Sequence, residues 1–96
     1  MKEDNHMMTK QQLRAWCAAH CGQARRVVYD TLNGYKLAFA DGSTYQYAEW
    51  DIGISYRRTE IRINGKPAYT GYYRSEGCGS WREISAEDWA TLNRPA

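Results

Sequence analysis

The residues best suited to chemistry lie close together in the stretch AWCAAHC, from Ala15 to Cys21. Within it, Cys17, His20 and Cys21 stand three and four positions apart, a spacing that brings side chains to one side of a helix. Thiolate and imidazole groups are ligands of tetrahedral zinc, and Cys78, between two glycines, offers a fourth. Three ligands in succession on one helix are nevertheless unlike the paired knuckles of most structural zinc sites. We therefore predict no metal and no cofactor, with this set as a weak alternative.

A buried helix face explains the same residues, because a free cysteine packs as a small apolar side chain. A disulfide to Cys78 or a redox-sensitive thiol stays open. Thiol catalysis needs a base beside the thiol. His20 precedes Cys21 directly, and neighbours on a helix diverge by about 100°. The sequence also contains no HExxH motif and no Gly-rich phosphate loop. We expect a protein that is not an enzyme.

The helix that carries this stretch is predicted to begin after Thr9. Thr9 is a hydroxyl N-cap, and Gln12 stands at the position that completes a capping box. The helix should run to about Cys21, with Leu13 and Trp16 on its inward face. Residues 1–8 are predicted to be a flexible leader, and residues 9–96 a single α+β domain.

The rest of the chain predicts a sheet and a second helix. Ser85 can cap a short helix from Ala86 to about Asn93, with Trp89 and Leu92 facing inward. Before it, apolar residues alternate with polar ones, and turn dipeptides separate the segments. We expect an N-terminal helix, an antiparallel sheet of about five meandering strands and a short C-terminal helix, with both helices on one face. The predicted strands are Arg26–Thr31, Tyr35–Ala40, Ser43–Trp50, Arg58–Asn64 and Ala68–Arg74, with a possible sixth at Ser80–Glu83.

Strand pairing predicts which side chains share a face, since residues opposite each other in a hairpin lie on the same side of the sheet. Two-residue turns at Asp41-Gly42 and Asn64-Gly65 would put Leu37, Phe39 and Ile61 towards the helices. The opposite face would then be rich in arginine and tyrosine. The predicted partner-binding residues on that face are Arg58, Arg62, Tyr69, Tyr73, Tyr45 and Tyr47.

Composition leaves the partner open. A formal net charge of +2 on 96 residues is too small to indicate nucleic acid binding by itself. The chain has no apolar run of membrane-spanning length, its N-terminus is too polar for a secretory signal, and its three cysteines do not suggest a disulfide framework. We therefore expect a cytoplasmic protein with no membrane partner, and the oligomeric state stays open.

Three functions fit these observations. The leading prediction is a small non-catalytic protein-binding module, because tyrosine, tryptophan and arginine dominate protein interfaces. Such short chains are often phage or mobile-element products that inhibit a host or defence complex. The alternatives are a single-stranded nucleic-acid-binding module, in which aromatic rings stack on bases, and a small zinc-binding or thiol-dependent protein. The face could also be a solvated surface on which arginine and tyrosine stack on each other.

Overall fold

A computed structural model of the chain describes residues 7–92. In that range the chain forms two helices and one antiparallel sheet of six strands. The elements are α1 (Lys10–His20), β1 (Arg25–Thr31), β2 (Gly34–Phe39), β3 (Thr44–Ile52), β4 (Tyr56–Ile63), β5 (Lys66–Gly77), β6 (Ser80–Ile84) and α2 (Ala86–Leu92). The predicted α+β class and order of elements are confirmed. The sixth strand, expected only as a possibility, is formed.

The sheet is a simple meander, in which each strand pairs with its neighbours in sequence. Short connections leave antiparallel pairing as the natural solution. Between β4 and β5, Asn64 and Gly65 have φ angles of 55° and 82°, the left-handed values that a two-residue hairpin turn requires.

The N-terminus of α1 has the predicted capping box. The Gln12 backbone N–H donates to Thr9 Oγ1 at 3.1 Å, and the Thr9 N–H donates to Gln12 Oε1 at 2.9 Å. Residues 1–6 of the predicted leader lie outside the described residues. The N–H of Met8, at the end of the predicted leader, donates to the carbonyl of Ala68 in β5 at 2.7 Å. The start of α1 is thus fixed to the sheet.

The two helices contact opposite faces of the sheet. Trp16 of α1 lies against Phe39 and Tyr45. Trp89 of α2 instead lies 5.1 Å from Tyr72, measured between ring centroids. Tyr72 pairs with Arg58 and directly precedes Tyr73, which lies beneath α1. Successive residues of a strand point to opposite faces, so Tyr72 lies on the face away from α1. The Ser85 hydroxyl caps α2 as predicted, accepting from the Asp88 N–H at 3.0 Å.

The core is thin. Among residues 7–92 the buried apolar side chains are Ile61 and Ala68, and no large side chain there is fully buried. Val28 and Leu92, at apolar positions of β1 and α2, are 43% and 42% exposed. Because α2 has only seven residues, about two helical turns, much of the sheet face that it contacts is left without cover. No helix within residues 7–92 has the length and apolar character needed to cross a membrane.

Candidate functional site

The loop between β2 and β3 decides the orientation of two predicted site residues. The Phe39 N–H donates to the carbonyl of Ser43 at 2.8 Å, so three residues, 40–42, form the loop. A loop of odd length shifts the pairing by one residue and reverses the face of every side chain that follows. Leu37 consequently pairs with Tyr45, and Tyr45 and Tyr47 lie on the face that α1 covers.

A bulge in β5 has the same effect on two further tyrosines. Arg62 pairs with Pro67, but Ile61 pairs with Tyr69, which leaves Ala68 as the extra residue. Proline cannot donate to the ladder, and within sheets it is typical of bulges and edges. The extra residue moves Tyr69 and Tyr73 to the α1 face.

The six predicted partner-binding residues therefore do not form one surface. Tyr45, Tyr47, Tyr69 and Tyr73 lie on the face beneath α1, whereas Arg58 and Arg62 lie on the opposite face. The prediction of a single Arg/Tyr surface is wrong because both hairpins pair one residue out of the assumed register.

The tyrosines of β2 and β3 form part of an aromatic layer under α1. Tyr35 stacks on Tyr45 and Tyr47, at centroid distances of 6.2 and 5.4 Å, and Trp16 lies 6.0 Å from Tyr45. Burial is the main cause that raises the pKa of Tyr45 and of Tyr47, and the Tyr47 hydroxyl also donates to Glu49 at 2.8 Å. These rings support the helix and are poorly placed to stack on a partner.

A groove of about 440 Å³ separates the first half of α1 from β3–β6. Its charged groups largely bind one another. Arg57 lies 2.7 Å from Asp51 and 3.5 Å from Glu49, and its guanidinium stacks 4.4 Å above the Trp81 ring. Hydrogen bonding from Arg57 lowers the pKa of Asp51.

On the far side of this groove, Glu83 accepts from the Tyr69 hydroxyl at 2.8 Å and pairs with Lys10 of α1. Its pKa is lowered, chiefly by the hydrogen bond from Lys10. The Lys10–Glu83 pair joins α1 to β6, and the carboxylates of Asp51 and Glu49 neutralise Arg57 within the groove.

The stretch AWCAAHC forms a structural anchor. His20 is buried and stacks on Trp16 at 3.7 Å. Its Nδ1 faces the Trp16 carbonyl oxygen at 2.8 Å and its Nε2 faces Asp41 Oδ2 at 3.1 Å, so both ring nitrogens have partners within the protein. The aspartate has a pKa of about 2, lowered first by hydrogen bonds from Ser43 and further by His20.

The weak metal alternative finds no support in this geometry. Within residues 7–92 no cluster of three or more His, Cys, Asp or Glu side chains could hold a metal ion. Cys17, Cys21 and Cys78 are free and exposed, and Cys78 lies in the turn between β5 and β6. Partial burial raises the pKa of Cys17, which disfavours the thiolate that a reactive cysteine needs.

The sheet face opposite α1 has a different character, and we call it the open face. Apart from the corner where α2 packs on Tyr72, no element within residues 7–92 covers it. In the centre of this face Lys36, Arg58 and Arg62 are cationic, and the carboxylate of Glu60 lies 3.5 Å from Arg62. The centre of the open face comprises Lys36, Gln46, Ala48, Trp50, Arg58, Glu60, Arg62 and Thr70, and the face continues into Arg26 and Tyr29 of β1 and Arg74 of β5.

An apolar patch lies where the open face meets the β3–β4 turn. Trp50, Ile52 and Ile54 are 44%, 45% and 92% exposed, and the Arg58 guanidinium stacks 4.2 Å above the Trp50 ring. We call these four residues the Trp50 patch. The predicted third strand ends at Trp50, so Ile52 and Ile54 lie outside the predicted sheet. The alternation of Trp50, Ile52 and Ile54 was the available signal, since it continues the period of β3 to its end.

Comparison of the chain with protein-family models, with curated proteins and with solved structures finds no match.

Proposed function

We propose that this protein is a small non-catalytic protein-binding module that captures an acidic partner protein through its open face. The observation that carries the proposal is the Trp50 patch, in which an exposed indole is held under a guanidinium at 4.2 Å beside Ile52 and Ile54. Apolar side chains grouped at the end of a sheet, rimmed by polar ones, are typical of interaction sites.

The patch has the composition of an interface hot spot. Tryptophan and arginine are the residues whose truncation most often costs 2 kcal/mol or more, and they act best near the centre of an interface. Stacking on Arg58 also restricts the Trp50 ring before binding, which reduces the entropy lost when the partner arrives.

The charge of the open face selects the partner. Lys36, Arg58 and Arg62 outnumber Glu60, so the potential over the face is positive. Complementary potentials speed association and exclude like-charged proteins. We infer that the partner presents carboxylates around an apolar pocket that accepts Trp50. Inhibition of a host or defence complex by a phage or mobile-element protein stays a prediction, and occupation of such a pocket would be its mechanism.

The proposal is tested by affinity capture from cells that carry the chain, followed by titration of the purified partner. Trp50→Ala and Arg58→Ala should each weaken binding about 30-fold, which corresponds to the loss of about 2 kcal/mol at a hot spot. Arg62→Ala, on the same face but outside the patch, should weaken binding less and reduce its dependence on salt.

Two matched controls separate the open face from the rest of the molecule. Met7→Ala removes an apolar side chain that is 43% exposed just before α1, at the end of the sheet opposite the patch, where the neighbouring Met8 bonds to Ala68. Tyr69→Phe removes only the hydroxyl that donates to Glu83 beneath α1. Both variants should bind within about twofold of the wild type. Equal binding by Trp50→Ala, Arg58→Ala and the wild type would show that the partner uses another surface.

The basic open face also favours a second candidate, a single-stranded nucleic acid. Three cationic side chains could follow a phosphate backbone, and affinity would then fall steeply with salt. The aromatic platform is poor, however, because one side of the Trp50 ring is occupied by Arg58 and Tyr72 packs on Trp89. Titration of labelled oligonucleotides at two salt concentrations decides between the candidates, since absence of binding at low salt removes this one.

A further inference from the structure

Strand β1 forms one edge of the sheet, and its outer side is exposed in the described fold. All seven of its residues are exposed, and Val27, Val28 and Tyr29 are 58%, 43% and 38% exposed. β1 pairs with β2 on one side only, so its other side presents a row of backbone donors and acceptors. Such an edge is a template for pairing with another strand.

The opposite edge, β6, is protected in ways that β1 is not. β6 has five residues, and α2 follows it directly. Trp81 lies under the Arg57 guanidinium, and Glu83 is bound by Lys10 and Tyr69. Short length and paired charges are ordinary protections of sheet edges. Among the described strands, β1 is therefore the edge open to a partner.

A bulge in β1 gives the edge a self-complementary charge pattern. Arg25 pairs with Phe39 and Asp30 pairs with Tyr35, so both side chains lie on the α1 face. In a regular strand, residues five positions apart would lie on opposite faces. The register shift between Val27 and Tyr29 removes that difference.

The same shift puts Arg26 and Tyr29 together on the open face, since their partners are Ala38 and Lys36. If β1 meets an antiparallel copy of itself with Val27 opposite Val28, each Arg25 meets an Asp30 and each Arg26 meets a Tyr29. The two residues of each of these pairs then lie on the same side of the joined sheet, and Arg25 and Asp30 carry opposite charges. Pairs of this kind stabilise neighbouring strands, and like charges directly opposite destabilise them.

We propose that β1 pairs in antiparallel fashion with β1 of a second copy of this chain, joining two six-stranded sheets into one continuous sheet. The pairing is symmetric about an axis between Val27 and Val28. Because of this symmetry the contact between Arg25 and Asp30 is present twice in the dimer, so one substitution changes both contacts. The apolar surface of Val27 and Val28 becomes the centre of the junction.

Charge reversal tests both the pairing and its register. Sedimentation velocity and light scattering of the full chain, up to about 1 mM, should show a monomer–dimer equilibrium. Arg25→Asp and Asp30→Arg, each alone, should raise the dissociation constant about tenfold or more, because two attractive pairs become repulsive. An equimolar mixture of these two variants should form a heterodimer, and the double variant R25D/D30R should dimerise as the wild type does.

The control is Arg82→Asp on β6, which removes a pair with Glu76 at the other edge and should leave association unchanged. Thermal unfolding verifies that each variant is folded. A wild-type chain that stays monomeric at about 1 mM overturns the proposal. So does dimerisation of the single variants at wild-type strength, or a mixture that fails to associate.

Discussion

Gly34 gives the sharpest test of the fold, because a methyl group there would meet backbone atoms. A Cβ built at Gly34 lies 2.3 Å from the carbonyl oxygen of Tyr47 and 3.1 Å from Cα of Ala48. Both atoms belong to the main chain of β3, so rotation of a side chain cannot relieve the contact. Gly34→Ala therefore requires β2 and β3 to move apart by about 1 Å or to lose their pairing at that end.

The cost follows from the size of that displacement. Overpacking at a buried site costs about 1–3 kcal/mol where side chains can adjust, and here only backbone can yield. We expect Gly34→Ala to lower the free energy of unfolding by about 3 kcal/mol. In a domain of this length that corresponds to a fall in Tm of roughly 12–24 °C.

Gly22 supplies a matched control. A Cβ at Gly22 meets nothing within 4 Å, and its φ lies outside the left-handed region. Gly22→Ala should therefore raise stability by about 0.4–1 kcal/mol, because alanine restricts the unfolded chain. Urea unfolding followed by tryptophan fluorescence measures both variants. A difference of less than about 1 kcal/mol between them would refute the close approach of β2 to β3.

Two other properties follow from the aromatic layer beneath α1. Trp16→Ala should lower the free energy of unfolding by about 3 kcal/mol, because it removes ring contacts with His20, Phe39 and Tyr45, and Trp16→Phe should cost less; urea unfolding distinguishes them. Stability should also fall at alkaline pH. The pKa values of Tyr45 and Tyr47 are raised in the folded state, so their contribution is complete below the ordinary pKa of 10.0 and is lost as pH rises above it. Thermal melting in steps above pH 10 measures this loss, which should shrink when both residues are replaced by phenylalanine. An unchanged pH profile in that double variant would contradict the assignment.

The sequence predicted the elements well because their signals are local. The capping box of Thr9 and Gln12 begins α1 where expected, and the strands lie within a few residues of the predicted bounds. These features depend on backbone propensity and on hydrophobic period, which neighbouring residues largely determine.

The faces were predicted poorly because they depend on counting residues through a turn. Asp41-Gly42 is compatible with loops of two or three residues, and the sequence does not distinguish them. Pro67 was the visible sign of a bulge, but its effect on Tyr69 follows only from the observed pairing. In each hairpin the observed pairing differs from the predicted one by a single residue. That difference places four tyrosines on the α1 face, where they were predicted to lie on the interaction surface.

If β1 pairs with its copy, the open faces of the two copies form one continuous surface. Pairing that keeps Arg26 opposite Tyr29 keeps the open faces of both copies on the same side. In the joined sheet the two β1 strands would be neighbours, and the strand order across the junction would be β3-β2-β1-β1-β2-β3. At ordinary strand spacing the two β3 strands would lie about 24 Å apart. Two Trp50 patches on one side of the joined sheet would bind a symmetric or repetitive partner with avidity.

This geometry makes the two proposals separable in one experiment. Arg25→Asp leaves each Trp50 patch intact, so affinity for a single soluble partner should be unchanged. Retention on a surface dense in immobilised partner should fall, because dissociation of one site would no longer be delayed by the other. Equal retention of the variant and the wild type on the surface would show that capture is monovalent. If Arg25→Asp also lost binding to the partner in solution, β1 would belong to the partner interface itself.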